Sequence, residues 1–105
     1  MAQIPDKIKN IIANYFVLLR QNNIPVKTAY LFGSYAKDNF TDWSDIDIAL
    51  VSDIFQGIRI NDRDKIRKFT LAISSSLEVI PFHPNDFTSE NPFAKEIIET
   101  GIKLL

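Results

Sequence analysis

No cysteine occurs in the 105 residues, which removes disulfides, thiolate metal sites and cysteine nucleophiles together. Charge of one sign is also missing. Lys and Arg number 12 against 13 Asp and Glu, leaving a net charge of −1 and a pI of about 5.7. A domain that grips nucleic acid by neutralising phosphates carries a basic surplus, so general DNA or RNA binding is disfavoured. No apolar run approaches the length needed to span a membrane, and Met1-Ala-Gln-Ile-Pro-Asp-Lys7 lacks a charged-then-apolar leader pattern, so no membrane role and a cytoplasmic location are expected. Internal repeats, low-complexity stretches and linkers are absent as well. What remains is 46% apolar and 24% charged residues, the balance of a globular protein, in a length that suits one domain over residues 1–105.

Periodicity predicts an alternating chain. Ile8, Ile11, Ile12, Tyr15, Leu18 and Leu19 recur at helical spacing from Pro5 to Gln21, and Asn22-Asn23-Ile24-Pro25 breaks that helix. Lys27 to Phe32 reads as a strand ending at Gly33, and Ser34 to Lys37 as a short helical turn. Asp45 to Ser52 reads as a second strand, buried on both faces beyond its acidic start. A helix is expected over Asp62–Ser76, a third strand over Leu77–Phe82, and a last helix opened by the cap Asn91-Pro92 and ended at Gly101. The order α-β-α-β-α-β-α implies an α/β layer on a small central sheet.

Between the first two strands lies the pattern that carries chemistry. Gly33-Ser34 closes an apolar run, ten residues follow, and Asp45-Ile46-Asp47 opens the next. A Gly-Ser turn at a strand end offers backbone N–H groups and a hydroxyl to a phosphate. Two aspartates one residue apart on a strand share a face, while Ile46 and Ile48 point into the core. Magnesium takes oxygen ligands, commonly one or two carboxylates plus the phosphates of its substrate. Glu78, the acid in an otherwise apolar strand, is the candidate third carboxylate, because burying it unpartnered is expensive. Asp45, Asp47 and Glu78 would then form a two-metal clamp on a nucleoside triphosphate. Gly33 and Ser34 would cradle its phosphates, Lys37 would offset phosphate charge, and Glu78 would help activate an acceptor hydroxyl.

On Gly33-Ser34, the ten-residue spacer and Asp45-Ile46-Asp47, the chain resembles the minimal nucleotidyltransferases (MNT proteins) of the DNA polymerase β superfamily. Glu78 stands where that family places its third carboxylate, and the similarity extends over the whole chain, including a closing helix from Phe93 to Leu105 with a Gly101-Ile102 ending. The resemblance implies a mixed sheet flanked by helices. It implies magnesium-dependent transfer of NMP, usually AMP from ATP, and a role as antitoxin to a HEPN-type ribonuclease toxin whose tyrosine receives the AMP. The chain departs from the pattern at Asp38, where glycine is usual, and at Glu78, where aspartate is common.

Other residues have plainer readings. Arg63 and Arg67 read as a solvated helix face, His83 as a turn-ordering residue, Trp43 as packing at the domain edge, and Tyr35 as part of the turn. The competing function is a binding module that neutralises a partner toxin by occlusion, its transferase site vestigial; Asp38 invites that reading.

Overall fold

The computed structural model describes residues 4–105. Helix α1 spans Asp6–Gln21, strand β1 Thr28–Phe32, strand β2 Ile46–Val51 and helix α2 Arg59–Ile73. Strand β3 spans Leu77–Phe82, a 3₁₀ turn covers Pro84–Asp86, helix α3 spans Pro92–Thr100, and strand β4 is Ile102–Lys103. The four strands form one mixed sheet in the order β3-β2-β1-β4. β1 runs antiparallel to β2 and to β4, and the crossover through α2 brings β3 parallel to β2.

Strand alternation divides the core in two. Leu31, Ile46, Ile48, Leu50, Leu77 and Val79 face α1 and α2, meeting Ile12, Tyr15, Leu19 and Ile66. Tyr30, Phe32, Ala49, Val51, Ile80 and Phe82 face α3, where Ala94 and Ile97 close the second cluster. Apolar burial on both sheet faces is the main favourable term for such a layer. Between the helices, the Tyr15 hydroxyl meets the Thr70 hydroxyl at 3.0 Å, and burial pushes the Tyr15 pKa up to about 12 against the opposing pull of that hydrogen bond. Among the described residues no helix is long and apolar enough to cross a membrane.

The element order differs from the expected alternation in three places. Gly33 to Asp38 is a run of turns, closed by Lys37 N–H donating to the Gly33 carbonyl at 3.1 Å, so no helix separates β1 from β2. α2 starts at Arg59 instead of Asp62. The buried Asp62 carboxylate accepts from the Gln56 and Gly57 N–H groups at 2.8 and 2.9 Å, reaching back to hold the chain entering the helix. Lastly, the chain does not continue as helix to Leu105. α3 is capped by Asn91 as expected, with its side chain accepting from Phe93 and Ala94 N–H, but beyond Gly101 the chain becomes strand β4. A Cβ on Gly101 would stand 2.5 Å from the Ile97 carbonyl and 3.0 Å from that of Leu31, so only glycine lets the chain drop onto β1 there.

Candidate active site

β2 is fully buried along its length except at Asp47, its one half-buried position. Asp47 sits opposite Phe32 in the β1 register and opposite Glu78 in the β3 register, so Asp47 and Glu78 lie side by side on the face that α3 covers. Asp45 precedes the strand and is exposed. Burial raises the Asp47 pKa first, and the negative charges of Asp45 and Glu78 raise it further, which marks the three acids as neighbours.

Gly33 ends β1 against the same carboxylate. Its φ of +75° is the left-handed region, and a Cβ there would collide with Asp47 Oδ2. Glycine is thus demanded twice, by backbone conformation and by the close approach of the acid. Half-buried Ser34 follows in the turn after the strand end, with its carbonyl accepting from Asn39 N–H at 3.1 Å. Lys37 leaves this turn toward α3, its ammonium 3.7 Å from Glu96 Oε1; an exposed pair of this kind contributes little and leaves the ammonium free to move.

Asp38 takes φ +60°. The position that is glycine in the resembling family is therefore a left-handed turn residue, and aspartate is among the few side chains that tolerate it. Asp38→Gly is expected to be neutral or stabilising by about 0.5 kcal/mol, and Asp38→Val to destabilise by about 1–2 kcal/mol. Urea melts of the two variants measure both effects.

Arg63 and Arg67 lie on an exposed helix face as expected, but Arg63 also has a partner there. Its Nη2 donates to Glu78 Oε1 at 2.7 Å, reaching from α2 across β3, the outer strand of the sheet. The need of Glu78 for a partner was legible in an apolar strand; that the partner is a cation 15 residues upstream depended on the crossover. Among the described residues no three Asp, Glu or His side chains converge closely enough to hold a metal in this arrangement. The donor chemistry nevertheless fits magnesium: Asp45 and Asp47 supply hard oxygen donors from neighbouring positions of one chain segment.

Other expectations resolve more simply. His83 Nδ1 accepts from Asn85 N–H at 3.1 Å and orders the turn after β3. Tyr35 is buried and stacked on Phe40 with centroids 4.6 Å apart, which makes it core as well as turn. Trp43 does not pack at the domain edge. It is 92% exposed, on a turn held by the Thr41 and Ser44 hydroxyls.

Two cavities flank the sheet. One of about 420 Å³ lies between α2 and β3 and includes Arg63, Arg67 and Glu78; another of about 310 Å³ lies under Tyr35 and Phe40. Neither is lined by Gly33, Ser34, Asp45 or Asp47.

Comparison with known proteins bears on the family and the fold. The model of the family described as polymerase beta nucleotidyltransferase matches residues 6–105. A crystal structure from Sulfolobus solfataricus, of a protein provisionally called a nucleotidyltransferase, superimposes with a TM-score of 0.53 at 21% identity, covering 100% of this chain and 89% of that one. At that identity the likeness shows the fold. No curated protein matches the sequence.

Proposed function

The chain belongs to the polymerase beta nucleotidyltransferase family, and from that premise we propose a magnesium-dependent enzyme that moves AMP from ATP to a hydroxyl on a partner protein. A HEPN-type toxin is the partner suggested by the resemblance to minimal nucleotidyltransferases, and the role is then that of an antitoxin. The observation that carries the reading is the meeting of Gly33, Asp47 and Glu78 at one sheet end, with Asp45 beside them.

The residues divide the work by chemistry. Gly33 presents bare backbone to the triphosphate tail, and Ser34 adds a hydroxyl and an N–H. Magnesium, when bound by Asp45 and Asp47, supplies charge neutralisation and alignment of the phosphate oxygens. The acceptor oxygen bonds to the α-phosphorus as the bond to the pyrophosphate oxygen breaks, and the hydroxyl proton leaves to the Glu78 carboxylate. Most of the rate enhancement comes from positioning and charge stabilisation.

The occlusion alternative drew on Asp38, whose left-handed backbone gives a reason for that residue apart from catalysis. The deciding experiment incubates the protein with ATP labelled at the α-phosphate, magnesium and a candidate HEPN protein. Label on a hydroxyl of the partner is the expected outcome. Efficient transfer to small alcohols without any protein would refute the protein-acceptor reading. Undiminished toxin neutralisation by Asp45→Asn, with no label transferred, would establish occlusion instead.

A further inference from the structure

We propose that Arg63 is a positioning residue that competes with the metal for Glu78, holding the third carboxylate out of the site until a cation draws it in. This inference rests on the magnesium reading of Asp45 and Asp47. Three observations carry it. Glu78 occupies the position level with Asp47 on the neighbouring strand, where a third ligand belongs. Its Oε1 is nonetheless taken by Arg63 Nη2 at 2.7 Å. Among the described residues no three acids stand close enough to hold a metal, so Glu78 would have to move to join Asp45 and Asp47.

The pair is built to yield. Its side chains are 46% and 43% exposed, so water screens the attraction and the contact is weak enough for a divalent cation to displace. β3 is the outer strand, with Pro81 in it, so the Arg63 side chain can swing into solvent without disturbing a neighbouring strand. Arg63 also lines the α2–β3 cavity of about 420 Å³, which gives the released guanidinium room. Charge bookkeeping agrees: with Arg63 on Glu78 the three acids carry a net −2, and with Arg63 withdrawn they carry −3, a better match to two divalent ions.

Manganese is the probe, titrated into the purified protein and followed by electron paramagnetic resonance, with circular dichroism and thermal melting on every variant. Arg63→Gln is expected to tighten manganese binding by up to about fivefold, the range open to breaking one screened ion pair. Arg63→Lys, which keeps the charge but loses the planar fork, should bind between wild type and Arg63→Gln. Glu78→Gln should weaken binding, and adding Arg63→Gln to it should have no further effect, because the competitor then has nothing to hold. Unchanged or weaker manganese binding by folded Arg63→Gln overturns the proposal, as does an equal tightening in the Glu78→Gln background. Failure of the underlying metal reading is separately visible: in that case Asp47→Asn leaves manganese binding untouched.

Discussion

Replacing Asp47 by asparagine is expected to abolish nucleotidyl transfer while making the metal-free protein more stable. On the proposed reading the loss follows from removing a magnesium ligand beside the reacting phosphate, worth several kcal/mol, or at least about 10³-fold in rate. The gain follows from the pKa. Burial, then the charges of Asp45 and Glu78, raise the Asp47 value in the folded protein above the ordinary 3.8. Between the unfolded and folded values the native state binds more protons than the unfolded chain. Stability therefore falls as pH rises through that window, and at neutral pH the ionised Asp47 is a net cost. Asparagine has no charge to repel its neighbours. Because the site is partly solvated, the expected gain is modest, about 0.5–1 kcal/mol at pH 7. Melting curves from pH 3 to 8 should show wild type and Asp47→Asn converging at the acid end and separating above it. A variant that loses both activity and stability would mean that Asp47 acts as a structural acid.

Gly33→Ala is expected to damage the fold and the site together. At φ +75° an alanine pays about 1–2 kcal/mol for its backbone, and its methyl group must also push the Asp47 carboxylate aside in a packed sheet end. A combined loss of about 2–4 kcal/mol, with a melting temperature lower by roughly 10–20 °C, is the expected result. Transfer should fall beyond what instability explains, because the displaced carboxylate is the one that faces the substrate. Pairing Gly33→Ala with Asp47→Ala makes the steric part visible. Shortening the acid removes the collision, so the double variant should recover part of the lost stability. Full additivity of the two changes would place the strain elsewhere.

These outcomes separate what was readable along the chain from what was not. The Gly33-Ser34 turn, the spacer and Asp45-Ile46-Asp47 are local signals: a strand end, a loop and a strand start, each set by alternation and turn chemistry. The helices α1 and α3 followed from apolar spacing and from the Asn91 cap. Glu78 could be singled out because an acid among Leu77, Val79 and Ile80 demands a reason. The level at which it meets Asp47 could not be read, since it depends on how β3 registers beside β2.

What escaped were pairings across distance. Asp62 reaching back to Gln56 and Gly57, Arg63 reaching Glu78, and Ile102–Lys103 joining β1 involve partners that no short-range period encodes. A two-residue strand has no alternation to detect, and an arginine on a helix looks solvated until a neighbouring strand edge comes within its reach. Asp38 is the instructive middle case, a departure that seemed to speak of chemistry until its left-handed φ assigned it to backbone geometry. Residue order thus settles which groups are available and which local shapes they favour. Their meeting in space is settled by sheet register and the α2 crossover, because a carboxylate gains its role from the charges that packing brings beside it.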